Sequence, residues 1–470
     1  MEELNFSNPN LYRTEKGWKN FKIDKQYIKV KNASDVEIER KWTTNGPVLP
    51  ATAFDLLSIT PKNHVATLSW TALTEKDTTI SSIVNLMLSQ NVQKGLEALE
   101  NFHAPSLNFL LVDSEKMVLK TVGKMPRRSP LNQTQGRMPS IGWKSENKWR
   151  GYWGYEVNPV IESSPGDILG NTNNKISEAK FPKHISHVWG DTQRILRWQK
   201  LMQNREVHTR ESFIEVQLDT VSPTARALLP LIGSELWYSQ PRGEAGSKER
   251  LRFEAVSMLA SWNGEMSEHL PEPLIYSTWM KFLQKKLIND DLGPISTRFS
   301  HFNPIFVEKV FRNIEGASSW CDIKHSSYKE TCTEIASKSL DEALSWLQDK
   351  YGKNLNSLRW GDAHEAVHRH ETLGNIPVLK YLFNIRQSTS GGDNTLMRGK
   401  TAGKGKDPFL NIHAAVYRGV YDFADPDSSV FIISTGQSGH FLSRHYDDLG
   451  NLWRRGEYVP MSLDPNLARG

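Results

Sequence analysis

Five amphipathic helical segments follow one another between residues 192 and 352, and they constrain the fold of this chain more than any other feature. In each segment apolar residues recur every three or four positions, which is the period of a helix with one buried face. Short stretches rich in helix-breaking residues separate them. The segments are TQRILRWQKLMQNR (192–205), SPTARALLPLIGSE (222–235), PLIYSTWMKFLQKKLI (273–288), NPIFVEKVFRNI (303–314) and SKSLDEALSWLQDKYG (337–352). The sequence therefore predicts a large, mainly helical region.

Strand patterns lie on both sides of this region. QYIKVKN (26–32) and VEIERKW (36–42) alternate apolar and polar residues like half-buried strands, and residues 106–126 predict a hairpin that turns at Asp113 to Lys116. Strand character returns in NIHAAVYRGVYDF (411–423) and SSVFIIST (428–435), and a helical pattern occupies 83–102. We therefore expect an α+β fold with a strand-rich part (1–185), a mainly helical part (186–385) and returning strands (386–470).

Charge and hydropathy exclude some functions. The chain has 470 residues with 58 basic and 53 acidic side chains, a net charge of +5, so its charge gives no argument for a nucleic-acid partner. No apolar run is long enough for a membrane-spanning helix. The first residues, MEELNFSNPNLYRTEKGW, show neither the basic nor the apolar region of a signal peptide. We expect neither nucleic acid nor a membrane as a partner.

The two cysteines, Cys321 and Cys332, are eleven positions apart. Zinc-binding cysteines usually lie two to four residues apart, so this spacing argues against a zinc site. From composition alone a disulfide and two free thiols both remain open.

His364, Glu365 and His368 match the H-E-x-x-H pattern of zinc proteases. That chemistry needs a helix, which places both histidines on one face, and a third ligand downstream. Residue 371 is Glu where the metzincin pattern has glycine, and the following turn-like QSTSGGDNT offers only Asp393. We therefore favour a structural role for His364, His368 and His370 near Trp360, and we expect no metal.

Several segments in order resemble the penicillin acylase family of amide hydrolases, which belongs to the N-terminal nucleophile (Ntn) hydrolase superfamily. They are WTTNGPVL (42–49, with Asn45 where the family has His), LSWTAL (68–73), SLNFLLVDSE (106–115), VGKMPRR (122–128), GYWGYEVNPVIESSPGDILGNTNNKI (151–176), GGDNT (391–395) and GQSGHFLSRHYDDLGNLWRRGEY (436–458). The resemblance implies the αββα sandwich of the superfamily, here incomplete and with a large helical insertion. In the closing segment it implies a structural role for HYDD (445–448), where Gly436 and Gly439 form a turn and Asp447 and Asp448 hydrogen bond a loop.

The resemblance also implies a reaction and two site residues. Family members hydrolyse linear amides with an amino-terminal Ser, Cys or Thr, whose own α-amino group accepts the proton. Asn173 matches the asparagine whose amide donates to the oxyanion, and Arg194 matches the arginine that helps to hold the active site. From the residues alone, Asn173 also suits a turn in a loop rich in Gly and Asn, and Arg194 also suits an exposed helix charge.

Departures from the family pattern limit what this chain is expected to do alone. The resemblance covers most of the second (beta) chain but not the nucleophile, so we expect a truncated, inactive chain whose partners are an acylamide substrate and the missing amino-terminal segment. The alternative is a non-catalytic remnant or one half of a split enzyme. Some relatives bind calcium, but Lys183 lies near the place of a carboxylate ligand, and we expect no cofactor. The family implies a periplasmic location and hence a Cys321–Cys332 disulfide.

Overall fold

The computed structural model describes residues 1–164, 166–190, 192–237, 244 and 246–468. The chain divides into two compact units, Met1–Gly190 and Asp191–Gly470. The boundary lies just before the first of the predicted helices.

The first unit is built from short antiparallel strands and two helices. They are β1 (Glu2–Glu3), β2 (Leu11–Thr14), β3 (Gly17–Asn20), β4 (Lys22–Ile28), β5 (Val36–Thr43), β6 (Gly46–Pro47), β7 (His64–Val65), α1 (Thr79–Met87), α2 (Val92–Leu99), β8 (Leu107–Val112), β9 (Met117–Val122) and β10 (Val160–Glu162). The strands pair as β1–β7, β2–β3, β4–β5–β6 and β8–β9–β10. Apart from β10 and short 3₁₀ turns, residues 127–175 are irregular, as the Gly-, Pro- and Asn-rich sequence predicts.

The predicted hairpin is confirmed as β8 and β9, which pair from Leu107 opposite Val122 to Val112 opposite Met117. Asp113 fixes the turn, because its Oδ1 accepts hydrogen bonds from the backbone N–H groups of Glu115 (2.9 Å) and Lys116 (3.0 Å). Its Oδ2 accepts a third from the N–H of Val92, the first residue of α2 (2.8 Å). One carboxylate therefore joins the hairpin to the helix beside it.

The predicted strands at 26–32 and 36–42 are present as the paired β4 and β5, but the expectation that they are half-buried is wrong. Tyr27 is 61% exposed and Ile38 is 40% exposed. Alternation sets which side chains share a face of a hairpin, but it supplies no second layer to cover that face.

The helical pattern at 83–102 is confirmed only in part, because it contains a break. Asn91 accepts a hydrogen bond from the N–H of Lys94 through its side chain (2.9 Å) and so caps the start of α2. The sequence Ser89-Gln90-Asn91 therefore separates the end of α1 from the start of α2.

The second unit contains the helices first and most of its strands later. In chain order they are α3 (Gln193–Gln203), α4 (Arg210–Gln217), α5 (Pro223–Trp237), α6 (Lys248–Ser261), α7 (Glu272–Leu292), α8 (Pro304–Phe311), α9 (Cys332–Tyr351), α10 (Trp360–Ala363), β11 (Glu365–His368), α11 (Lys380–Phe383), β12 (Ile385–Ser388), β13 (Gly399–Thr401), β14 (Asn411–Ala414), β15 (Tyr417–Val420), β16 (Val430–Ile433), α12 (Gly450–Arg455), β17 (Val459–Pro460) and α13 (Pro465–Ala468). The five predicted helices correspond to α3, α5, α7, α8 and α9. Among the described residues, no helix is both long and apolar enough to cross a membrane.

The core of the second unit lies around α7 and α9. Trp279, Leu283 and Leu287 of α7 are at most 1% exposed, and they pack in one cluster with Leu340 and Leu344 of α9. The indole N–H of Trp279 donates to the carbonyl of Ala336 (3.0 Å), so its polar atom is satisfied inside the core. The helices therefore bury one another, as their periodicity predicts.

The Cys321–Cys332 disulfide is present, as the family resemblance implied. It ties the chain before α9 to the first residue of that helix. Thr331 and Glu334 form a capping box at the same end, where the Thr331 side chain accepts from the N–H of Glu334 (3.2 Å). The start of α9 is thus fixed by one covalent bond and one cap.

Two sheets follow the helical block, which confirms the α+β class and the late strands. One has the order β12–β11–β14–β13, with β11 and β14 parallel. The other is the antiparallel sheet β15–β16–β17. Ile432 of β16 and Trp453 of α12 pack with Ala366 of β11 in a small second core.

Candidate active site

Asn173 lies in a loop that is organised by its own asparagines. The backbone N–H of Asn173 donates to Oδ1 of Asn171 (2.9 Å), and that of Thr172 donates to Oδ1 of Asn174 (3.1 Å). Asn173 itself has a φ of 70°, a left-handed conformation that asparagine adopts more readily than most residues. The residue is exposed. The local geometry suits the turn interpretation, and it also holds Asn173 in a fixed backbone conformation at the surface of the first unit.

Gly190 packs directly against this loop. A Cβ at Gly190 would lie 2.8 Å from the carbonyl oxygen of Asn173, closer than real side chains approach. Any other residue at 190 would therefore push the Asn173 backbone away. None of the sequence motifs described above includes this glycine.

Arg194 lies in the first turn of α3 and is only 8% exposed, so it is not an exposed helix charge. One turn further along α3, Arg197 forms a bidentate ion pair with Asp219, with Nε–Oδ1 at 3.0 Å and a terminal nitrogen to Oδ2 at 2.5 Å. Both side chains of that pair are largely buried. The start of α3 therefore carries two substantially buried guanidinium groups, and the second was missed in the sequence because nothing distinguishes Arg197 from other helix arginines.

Asn173 belongs to the first unit and Arg194 to the second. The catalytic roles of both residues stay predictions.

The H-E-x-x-H segment does not have the structure of a zinc protease site. Residues Glu365–His368 form strand β11 rather than a helix. His364 is fully buried, stacks on Trp360 with ring centroids 4.5 Å apart, and donates from Nδ1 to the carbonyl of Phe409 (2.7 Å). Burial lowers the pKa of His364 to about 4, so the ring is neutral at pH 7. The predicted structural role near Trp360 is confirmed for this histidine.

The closing segment is also structural. A Cβ at Gly436 would lie 2.2 Å from the carbonyl oxygen of His445. The N–H of Ser438 donates to that carbonyl (2.9 Å), and Nδ1 of His445 contacts Oδ2 of Asp448 at 2.7 Å. The predicted loop role is thus confirmed for Asp448, whereas Asp447 contributes its backbone carbonyl, which accepts from Gly450.

The residues around Lys183 do not fit a calcium site. The ammonium group of Lys183 lies over the Trp153 ring, 5.6 Å from its centroid. The neighbouring His184 packs against His187 with ring centroids 4.1 Å apart. Burial, together with the adjacent His187, Arg128 and Arg137, lowers the pKa of His184 to about 4. Calcium needs several oxygen ligands, and this stretch supplies cations and imidazoles instead.

Asn45, where the family has histidine, binds a buried carboxylate. Glu2 is fully buried, and its Oε1 accepts from Nδ2 of Asn45 (2.7 Å) and Oγ1 of Thr67 (3.2 Å). Nδ2 of Asn45 also donates to the carbonyl of Gly142 (2.9 Å). Asn45 therefore joins three chain segments beside a pocket of about 340 Å³, which it lines together with Arg128.

Comparison with known proteins identifies the family. The family model described as penicillin amidase matches residues 1–469. The acyl-homoserine lactone acylase QuiP of Pseudomonas syringae pv. syringae (strain B728a) is 24% identical over 98% of this chain and 56% of its own length. The penicillin acylase 2 proenzyme of Pseudomonas sp. (strain SE83) is 23% identical over 92% of this chain and 53% of its own length. The chain thus spans about half the length of the curated relatives it matches.

A solved structure supports the fold. The thermostable penicillin G acylase of Alcaligenes faecalis matches all of this chain and 83% of that chain, with a TM-score of 0.70 and 17% sequence identity. The expected α+β Ntn-hydrolase fold is therefore confirmed. Because the family model covers nearly every residue, this chain belongs to the penicillin amidase family.

Proposed function

We propose that this chain is the greater part of the catalytic second chain of an acylase, which hydrolyses a linear amide to a carboxylic acid and an amine. The observation that carries the proposal is Asn173, an exposed asparagine held at φ 70° by its loop in a chain of the penicillin amidase family. A neutral amide can donate to a developing oxyanion without needing a proton of its own.

Gly190 supports this role for Asn173 through the backbone. Oxyanion stabilisation depends on a donor that is aimed before the reaction begins, so the loop that carries the donor must not move. The hydrogen bonds of Asn171 and Asn174 and the close approach of Gly190 restrict the loop from two sides. Arg194 is proposed as a positioning residue, since its buried guanidinium can hold neighbouring groups without touching the substrate.

The nucleophile is proposed to come from outside residues 1–470, on a longer form of the protein or on a separate chain. An Ntn nucleophile needs its side chain and a free α-amino group on the same residue, and the curated relatives are nearly twice as long as their match to this chain. The relatives' names describe them as acyl-homoserine lactone and penicillin acylases, so the proposed substrates are small acylamides.

The proposal is tested with variants of Asn173 in the protein as it is produced by its natural source, assayed on a panel of N-acyl p-nitroanilides. Asn173→Gly removes the amide but tolerates a φ of 70°, and Asn173→Asp keeps the shape but replaces the donor with a carboxylate. Loss of one oxyanion donor lowers kcat on the order of a hundredfold or more. We expect both variants to show that loss with little change in KM.

Asn101→Ala is the matched control, because Asn101 is an exposed asparagine of the same unit. Among the described residues its backbone carbonyl accepts hydrogen bonds, whereas its side chain makes none. Unchanged kcat in Asn173→Gly would contradict the role of Asn173. A wild-type protein that hydrolyses none of the amides, with every associated chain retained, would favour the alternative of a non-catalytic remnant.

A periplasmic location belongs to the same proposal. The Cys321–Cys332 disulfide supports it, because such bonds persist in oxidising compartments and are rare in a reducing cytosol. Maleimide labelling of protein recovered without reductant, before and after reduction, measures whether the bond forms in cells. Equal labelling in the two samples would contradict it.

A further inference from the structure

The second unit contains a cationic pocket that the acylase proposal does not use. It has a volume of about 350 Å³ and is lined by residues of α4, β14, β15, α12 and the segment that precedes β13. Two arginines, Arg398 and Arg418, line it, and none of the described residues that line it carries a carboxylate. Its other polar groups include Thr389 and Asn411.

Arg418 is a buried cation whose hydrogen bonds are incomplete. It is 6% exposed, donates one terminal N–H to the carbonyl of Trp453, and lies 5.0 Å above the Trp453 ring. Its Nε is buried and, within the described part of the chain, has no hydrogen-bond partner. Burial lowers the pKa of this guanidinium, but arginine stays protonated in proteins, so the charge persists.

Arg398 also makes an incomplete set of hydrogen bonds. Its Nε is buried and lacks a hydrogen-bond partner among the described residues. The carboxylate of Asp393 interacts electrostatically with Arg398, but its oxygens accept hydrogen bonds from the N–H (3.1 Å) and hydroxyl (2.7 Å) of Thr401. Two guanidinium groups, each with a buried Nε that lacks a partner among the described residues, therefore lie in the wall of one pocket. A buried charge costs free energy unless a partner compensates it.

Part of the remaining wall is apolar. Trp453, Leu396, Met397 and Ala415 line the same pocket. A planar carboxylate matches the fork of a guanidinium, and an apolar chain attached to it would contact the indole and aliphatic walls. An inorganic anion would satisfy the arginines but leave those walls uncovered.

We propose that this pocket binds a small organic carboxylate, with Arg398 and Arg418 holding the carboxylate and Trp453, Met397 and Leu396 contacting an apolar tail. The proposal does not rest on the proposed acylase reaction, because neither Asn173 nor Arg194 lines the pocket.

The test is isothermal titration calorimetry of the full chain with hexanoate, hexanamide and inorganic phosphate as probes. We expect saturable 1:1 binding of hexanoate, and binding of hexanamide and of phosphate weaker by a factor of about ten or more, which corresponds to about 1.4 kcal/mol. Equal affinity for hexanamide, or no saturable binding of hexanoate, would overturn the proposal. Phosphate binding as tight as that of hexanoate would overturn the assignment to organic acids.

Arg398→Gln is the informative variant, because Arg398 is only partly buried, whereas Arg418 supports Trp453 and its replacement risks the fold. We expect Arg398→Gln to weaken hexanoate binding about tenfold and Arg398→Lys to weaken it less. Arg369→Gln removes the same charge from an exposed position of the same unit and should change affinity less than about twofold. An equal loss in Arg369→Gln would reveal a general charge effect and contradict the site.

Ala415→Phe fills the pocket without changing its charge. Ala415 is exposed at the pocket, and only its backbone carbonyl binds the indole N–H of Trp453. We expect this variant to melt like the wild type and to lose most hexanoate binding. Undiminished binding would show that the tail does not enter the pocket.

Discussion

The two units of this protein bury apolar side chains to very different extents. In the second unit one continuous core extends from Ala225 in α5 to Phe409, whereas the largest cluster in the first unit consists of Leu99, Phe102 and Val122 with a few partly buried neighbours. The first unit depends more on polar anchors, such as the buried Glu2 and the three hydrogen bonds of Asp113.

The difference shows what each kind of element needs. Amphipathic helices bury one another's apolar faces, so a run of five of them provides its own core. A short hairpin such as β4–β5 satisfies its backbone but needs a further layer to cover its side chains, and Tyr27 and Ile38 stay exposed. Stability should therefore be concentrated in the second unit.

The largest expected effect tests that comparison directly. Leu283→Ala removes a fully buried side chain from α7, and Leu→Ala changes at such sites typically lower the free energy of unfolding by about 4 kcal/mol. Leu110→Ala in β8 changes a side chain that is 47% exposed and should cost less than about 1 kcal/mol. Urea unfolding followed by tryptophan fluorescence measures both, and similar losses would contradict the contrast between the units.

The disulfide should give the next largest effect. Cys321 and Cys332 are eleven residues apart, and closing a loop of this length stabilises a protein by about 3 kcal/mol through the entropy of the unfolded chain. Replacing both cysteines with serine should lower the free energy of unfolding of the second unit by about that amount, and the urea midpoint should fall with it. A reductant should lower the midpoint of the wild type but not that of the double variant, and an equal response in both would exclude the disulfide as the cause.

Acidification should cause a smaller loss in the free energy of unfolding of the second unit. The folded pKa of His364 is about 4 and its ordinary value is 6.5, so the unfolded state binds more protons between these values. The contribution of neutral His364 to the free energy of unfolding is fully present above pH 6.5 and is lost as the pH falls towards 4. Between pH 7.5 and pH 5 the loss should be about 2 kcal/mol.

His364→Phe keeps an aromatic ring beside Trp360 and removes the titration, so its unfolding free energy should be lower at pH 7.5 but should fall less steeply with acid. His269→Gln, at an exposed histidine of the same unit, serves as the control. An unchanged slope in His364→Phe would show that other groups cause the acid sensitivity.

The smallest effect should be the same in both units. Asn91 caps α2 in the first unit and Thr331 caps α9 in the second, and loss of a cap typically costs about 1 kcal/mol. Asn91→Ala and Thr331→Ala should therefore differ little when each is measured by hydrogen exchange of the first turn of its own helix. A much larger loss at Thr331 would mean that the cap is coupled to the core of the second unit.

The sequence anticipated a large part of the fold because the relevant signals are local. Helices α3, α5, α7, α8 and α9 follow from the spacing of apolar residues, and the turn at Asp113 follows from the side-chain chemistry of that residue. Helices α4 and α6 were missed, and so was strand β11, whose H-E-x-x-H sequence carries no period that separates a strand from a helix. Asn173 and Arg194 could be named only through the family resemblance.

The sequence by itself determined the α+β class and the family, and it favoured a structural role for residues 364–368 over a helical zinc site. It could do so because periodicity, turn chemistry and ordered motifs are encoded in neighbouring residues. Only the tertiary structure decided that Arg194 is buried, that Gly190 touches the Asn173 loop, that Asn45 binds Glu2, and that Arg398 and Arg418 share a pocket. These features bring together residues that are not neighbours in the sequence. They depend on how the helices, strands and loops pack rather than on any local sequence pattern.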